Sequence, residues 1–164
     1  MNNIKDIFNQ IRDIPYSIPV SIKEKDYCCS GKHKILKQFL DNLGYKTRYQ
    51  VVSFEWSSMN LPQKLLNVPH ENLISHVYLE IFLNDKWVDM DATWDPKLKS
   101  VLPINEWNGS ENIIAVPIIE KFSLKKSQEI MENENEEETI KDLKINGKFY
   151  QAFNRWLEEI RKRK

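Results

Sequence analysis

"ISHVYLEIFLNDKWVDMDAT", residues Ile74 to Thr93, alternates apolar and polar side chains on either side of Asn84 and Asp85. β-Branched and aromatic residues fill both halves, and an Asn-Asp pair suits a tight turn that needs left-handed backbone. The stretch reads as an antiparallel hairpin. Counting out from the turn pairs Leu83 with Lys86, Phe82 with Trp87, Glu80 with Asp89, Tyr78 with Asp91 and His76 with Thr93. Cross-strand partners share a face, so His76, Tyr78 and Asp91 project to one side, with the imidazole and the Asp91 carboxylate diagonal neighbours within reach. Val77, Leu79, Ile81, Val88 and Met90 take the other side and read as core. A one-residue slip would separate His76 from Asp91, so the turn sets the geometry.

Upstream, "YKTRYQVVSFEW" (Tyr45 to Trp56) has the composition of another strand. Before it, Leu36, Phe39, Leu40 and Leu43 mark a helix from Cys29 with one buried stripe, ended by Gly44 as a left-handed cap. Cys29 and His33 fall on that stripe, which points the thiol inward at the first helical turn. Ile4, Ile7, Phe8 and Ile11 recur at helical spacing and predict a short helix over Asn3 to Asp13, followed by an extended path through Pro15 and Pro19.

Between the strands, the segment with Pro62 and Pro69 reads as a loop or short helix. Beyond Pro96 the pattern is irregular, and Ile113 to Ile119 offers one more short strand. The acidic run Glu129 to Glu138 reads as a solvated linker or exposed helix without a function. Phe149, Phe153, Trp156, Leu157 and Ile160 describe an amphipathic C-terminal helix over about residues 145–162 that docks on the domain. Its basic end, Arg161 to Lys164, suits a helix C-terminus and needs no nucleic acid to explain it.

A chain of 164 residues, 41% hydrophobic and 11% aromatic, predicts a single globular domain over 1–164 with its core at about 14–120. Its 24 basic and 24 acidic side chains balance, so no overall field draws it to nucleic acid or an anionic membrane. No apolar run approaches the ~20 residues of a membrane span, and the N-terminus lacks a secretory layout, so a soluble, cytoplasmic protein is expected. Cys28 and Cys29 are the only cysteines and, being adjacent, cannot tie distant segments together. Their use is local: packing, metal binding or reactivity. A helix N-terminus stabilises a thiolate, and a thiolate nucleophile needs a base held by an acid; His76 and Asp91 offer that pair.

These residues resemble the transglutaminase-like superfamily of the papain-like cysteine protease fold, in the manner of its small microbial members. The segment from Cys29 to Gly44 and Arg48 looks like the nucleophile helix with its "GIPAR"-type turn, and His76 to Thr93 like the "HxWxE…GxWxxxDPT" strand pair. The resemblance spans roughly Tyr27 to Asp95. It implies an α+β fold, with the nucleophile helix packed on an antiparallel sheet of at least three strands. It assigns Cys29 as nucleophile, His76 as general base and Asp91 as the residue that orients the base. Glu80 and Trp87 fall on the family's strand positions, and Cys28 on a position without a role. Tyr27 and Cys28 stand where a glycine usually precedes the nucleophile, and Tyr78 and Ala92 where Trp and Pro are common. For the oxyanion, the resemblance supplies the Cys29 amide; Tyr16 and Tyr27 are the upstream side chains able to donate beside it.

The activity implied is cysteine-dependent acyl transfer on a peptide or protein amide, by a peptidase or amidase if water resolves the acyl-enzyme and by a transglutaminase if an amine does. No cofactor is implied. A metal site on Cys28, Cys29, His33, His70 and His76 lacks the short paired spacing that zinc sites use. His33 reads as a helix residue near the site and His70 as a loop residue at its rim. Trp56, Trp87, Trp94 and Trp107 either line a cleft or pack the core. The competing reading is a non-catalytic module that keeps the scaffold and uses its cleft to bind a peptide or partner.

Overall fold

Asn84 and Asp85 adopt φ of 48° and 62°, the left-handed pair that a two-residue hairpin turn demands. They join β2 (Leu73–Leu83) to β3 (Lys86–Met90) in the register set by the turn, from Leu83 with Lys86 to Leu79 with Met90. Beyond that pair β3 leaves the ladder, so the expected pairings of Tyr78 with Asp91 and His76 with Thr93 do not form, although the chain still brings Asp91 to His76. β1 (Thr47–Glu55) lies along the other edge of β2, placing Val52 opposite His76 and Arg48 opposite Glu80. β4 (Glu120–Lys121) completes an antiparallel sheet of order β3-β2-β1-β4. The computed structural model describes residues 3–163, and Lys164 of the basic C-terminal run lies outside them.

Five α-helices accompany this sheet among the described residues, besides two short 3-10 turns: α1 (Ile4–Arg12), α2 (Cys29–Asn42), α3 (Gln63–Leu66), α4 (Leu124–Glu132) and α5 (Glu136–Lys162). The fold is α+β. Leu79, Ile81, Val88 and Met90, the side of the hairpin that reads as core, pack against Leu36 and Leu40 of α2 and Ile7, Phe8 and Ile11 of α1. The opposite face is covered too, where Val52, Phe54 and Tyr78 meet Phe149, Phe153 and Leu157 of α5. Val77 joins Val51 and Met131 in a smaller cluster beside Cys29. None of the helices in the described residues is long and apolar enough to cross a membrane.

Three expectations are corrected. In α2 the buried stripe is Lys32, His33, Leu36 and Leu40, whereas Phe39 and Leu43 are 54% and 57% exposed. α1 covers a narrower arc than the apolar periodicity suggests, and Phe39 and Leu43 edge a shallow groove against Ile7 and Ile11. Ile113 to Ile119 forms no strand: Ile113 makes one parallel bridge to Met90, and the pairing with β1 comes at Glu120 and Lys121. Pro117 interrupts the stretch, and the Ala115 amide is bound to the Asp91 carboxylate. The C-terminal helix starts at Glu136 rather than about residue 145: of the linker and the exposed helix left open for the acidic run, the helix forms, ending α4 and starting α5. Asn135 caps α5 by accepting from the Glu138 amide, and Glu136, Glu137 and Glu138 occupy its first turn, where negative charge is stabilised.

Candidate active site

α2 begins at Cys29 because the chain enters it extended, Cys28 having φ −81° and ψ −169°. The Cys28 amide donates to Asp26 Oδ1 at 2.8 Å, which holds the entering loop across the first turn. The approach is so close that a Cβ on Gly31 would fall 1.9 Å from the Asp26 carbonyl oxygen. Only glycine fits there, and the "CSG" of the sequence is a steric requirement of this entrance.

The two cysteines are driven apart in acidity. Cys29 is pushed well below its ordinary value, chiefly by the adjacent Cys28 thiol; burial opposes this, and His76 and the Val77 amide add to the lowering. Cys28 is pushed up by its neighbour Cys29, by burial and by the charge of Asp26. Of the pair, Cys29 is the more acidic thiol, and Cys28, a position without a role in the resemblance, is its immediate neighbour.

His76 is 3% exposed and its Nε2–H donates to Asp91 Oδ2 at 2.7 Å, which leaves Nδ1 for the Cys29 sulfur. Burial alone would lower the imidazole, but the charge and hydrogen bond of Asp91, together with Cys29, lift it to about 10. Asp91 is wholly buried. Burial raises its pKa, yet His76 and the surrounding donors hold it at about 2. Its Oδ2 also accepts the Ala115 amide at 2.8 Å, and its Oδ1 accepts the Thr93 hydroxyl at 2.5 Å and the Thr93 amide at 3.2 Å. Four donors fix this carboxylate.

His33 is a second buried imidazole behind the first. Its Nδ1–H donates to the Cys29 carbonyl at 2.7 Å and its Nε2 accepts the Ala92 amide at 2.9 Å. Accepting at Nε2 requires the neutral ring, so its 3.7 Å separation from Asp91 is not an ion pair. Burial lowers its pKa in agreement. His33 therefore ties the first turn of α2 to the segment after Asp91 rather than meeting substrate. Beside it Lys32, fully buried, donates from Nζ to the carbonyls of Arg12, Ile14 and Thr93 at 2.8, 2.9 and 2.8 Å. Burial pulls this ammonium down to about 7 despite Asp95 and Asp91.

A cleft of about 580 Å³ opens over Cys28, Cys29 and His76. Tyr16, Phe54, Trp56 and Trp94 line it, with Tyr150 of α5. Tyr16 is anchored by its amide on Asp95 Oδ2 at 3.0 Å and by its carbonyl, which accepts from Arg161 Nη2 at 2.8 Å. Tyr27 is not among the lining residues; its ring lies beneath Lys25 Nζ at 5.1 Å. Of the other tryptophans, Trp87 carries Arg48 on its face at 3.8 Å and Trp107 packs on Phe8 at 5.5 Å. Arg48 and Lys121 both bind Glu80, so this motif position is engaged in an ion-pair cluster on the sheet. His70 stacks on Phe149 at 4.1 Å, and among the described residues no three His, Cys, Asp or Glu side chains are gathered to hold a metal ion.

Of the residues read from the sequence, Cys29, His76 and Asp91 come together. His33 lies near the site as its place on the Cys29 stripe predicts, and Thr93 lies near His76, but their bonds to the Cys29 carbonyl and to Asp91 were not read from the sequence. Ala115 and Lys32 were not expected there. Comparison with family models, curated proteins and solved structures finds no match for this chain.

Proposed function

We propose that the protein is a cysteine-dependent acyl-transfer enzyme of transglutaminase-like, papain-like type, acting on amide bonds of peptides or proteins with Cys29, His76 and Asp91 as its triad. The observation that carries the reading is the buried 2.7 Å hydrogen bond from His76 to Asp91 beside a thiol at a helix N-terminus. In this reading His76 removes the Cys29 proton, and the sulfur attacks the amide carbonyl to give a tetrahedral oxyanion. Collapse breaks the C–N bond, with the His76 proton passing to the leaving amine. Water, deprotonated by His76, then attacks the thioester and releases the carboxylic acid and the thiol. An amine in place of water gives a new amide. Hydrolysis is the primary proposal.

The Cys29 amide, in the first turn of α2, is one donor for the oxyanion. Tyr16, which lines the cleft, is the side chain in place to be a second. Asp91 keeps the His76 ring in the tautomer that presents Nδ1 to sulfur, and its charge favours the imidazolium.

Iodoacetamide alkylation across a pH series, read at each cysteine by mass spectrometry, tests the nucleophile. Cys29 is expected to react far faster than Cys28 near neutral pH, with an apparent pKa below the free value of ~8.5 that rises in His76→Ala. Titration of both thiols near the free value would sink the enzyme reading and leave a binding module.

A further inference from the structure

The walls of the Cys29 cleft are held unequally. Tyr16, Trp56 and Trp94 are buried and fixed: Tyr16 by Asp95 and Arg161, Trp94 by its indole N–H on the Ala115 carbonyl at 3.0 Å, and Trp56 by packing on Phe149 and Phe153 at 5.2 and 5.0 Å. Another wall is the α4–α5 corner, from which Asn133, Glu134, Glu138 and Thr139 line the same cavity. Every residue from Glu132 to Lys141 is exposed. A stretch that buries so little apolar surface has little packing energy to hold it in place.

This stretch hangs between two anchors. On the α4 side Ser127 Oγ accepts the Val51 amide at 2.9 Å and Met131 packs with Val51 and Val77. On the α5 side Asn146 Oδ1 accepts the Glu71 amide at 2.8 Å, and Phe149 is fully buried. Between the anchors, and among the described residues, Glu134 makes the hydrogen bonds that leave α4 and α5: Ser30 Oγ donates to its Oε1 at 3.1 Å and Lys34 Nζ to its Oε2. Both donors stand on α2, Ser30 directly after Cys29 and Lys34 one turn further on. The Lys34 and Glu134 side chains are 44% and 36% exposed, and an ion pair so open to water is weak and easily screened. The chain turns from α4 to α5 within Asn133 to Asn135, at the ends of two helices, where a hinge absorbs rotation most readily.

We propose that the α4–α5 corner is a lid over Cys29, latched to α2 by Glu134 on Ser30 and Lys34 and opened when that contact breaks. His76, beside the thiol, is 3% exposed, so a polypeptide reaches both groups together only when a wall moves. The corner is the wall that gives up least by moving, because its tie to α2 is a surface ion pair and one hydroxyl. Closure returns the cleft to the arrangement described above. The lid belongs to the cleft itself and holds whether Cys29 catalyses or the cleft only binds.

The test applies one reacting group at two sizes: iodoacetamide, and an iodoacetamide that carries a neutral polyethylene glycol chain, with alkylation of Cys29 timed by mass spectrometry. Thiol acidity acts on both reagents alike and cancels in the ratio of their rates, so the result does not depend on Cys29 being a catalyst. In the parent the bulky reagent is expected to lag at Cys29 by more than it does on a free cysteine peptide. Glu134→Ala and Lys34→Ala should each raise the bulky-to-small ratio roughly threefold, the scale of one exposed ion pair. High salt should raise it in the parent and leave it unchanged in Glu134→Ala. Exchanging the two charges, Lys34→Glu together with Glu134→Lys, should return the ratio to that of the parent. A bulky reagent unhindered in the parent, a ratio indifferent to both alanine substitutions, or a charge exchange that restores nothing overturns the latched lid.

Discussion

Asp91 shows how much of a site can hang on one carboxylate. It accepts from His76, Thr93 and Ala115, and so joins β2, the segment after β3 and the Ala115 loop at a single buried charge. Its pKa of about 2 in the fold lies below the ordinary ~3.9. The stability it contributes is therefore fully present above about pH 4 and lost as pH falls toward 2, on the order of 2 kcal/mol. His76 has the opposite sense. Raised to about 10, its contribution is full below the unfolded ~6.5 and is lost as pH rises through 10. Urea unfolding across pH should show the acid limb in the parent and a shallower one in Asp91→Asn, which should also lose roughly 3–5 kcal/mol near neutral pH by breaking a buried charged network. An unchanged acid limb would remove Asp91 from this role. At this scale the pairing of His76 with Asp91 was legible, because a strand alternates strictly and a two-residue turn fixes the count. His33 was legible as a neighbour of Cys29 from the helical period, but Ala115 and Lys32 were not, since their bonds to the site come through tertiary packing that no local period encodes.

The helix entrance is where one element decides the chemistry. Gly31 admits the Asp26 carbonyl against the first turn of α2, and that loop presents Cys28 to Cys29. Gly31→Ala should cost about 2–3 kcal/mol by overpacking against backbone that cannot step aside, and should slow Cys29 alkylation at neutral pH. Both are readable from urea unfolding and the iodoacetamide rate; a variant as stable as the parent would show that the entrance can yield. The bounds of α2 and the hairpin followed from cap, period and turn. The α2 stripe was misread because apolar spacing tells which residues could be buried, not how wide a partner covers them: Phe39 and Leu43 stand at the edge of α1, bordering a groove with Ile7 and Ile11, and stay more than half exposed. For the run Glu129 to Glu138 a linker and an exposed helix both stood open, and the helix forms. Charge density argues for solvent, yet three glutamates after an Asn cap are also what a helix N-terminus prefers.

Across the whole molecule, the last turn of α5 returns to the first segment of the chain. Arg161 Nη2 donates to Asp95 Oδ2 at 2.7 Å and to the Tyr16 carbonyl, and both ends of that ion pair are nearly buried, at 8% and 2% exposure. Asn154 clasps the Ile18 backbone in both directions, at 3.0 Å from its amide and 2.7 Å to its carbonyl. Basic composition alone assigned Arg161 to helix-end electrostatics, and its partner lies 66 positions away in sequence. Arg161→Ala leaves Asp95 buried and unpaired and should cost about 3–5 kcal/mol. Tyr16 would lose one anchor in the same change. Calorimetry and the pH profile of Cys29 alkylation together check this, and a loss under 1 kcal/mol would mean that the pair is dispensable.

That return has a consequence for biosynthesis. Translation delivers Cys29, His76 and Asp91 long before Arg161, and Tyr150 of the cleft wall also comes late. A chain still being made holds its thiol and its histidine without the wall that shapes access to them. The cleft wall therefore forms only after synthesis has passed Arg161, so the arrangement proposed for catalysis assembles later than the thiol and the histidine that it serves.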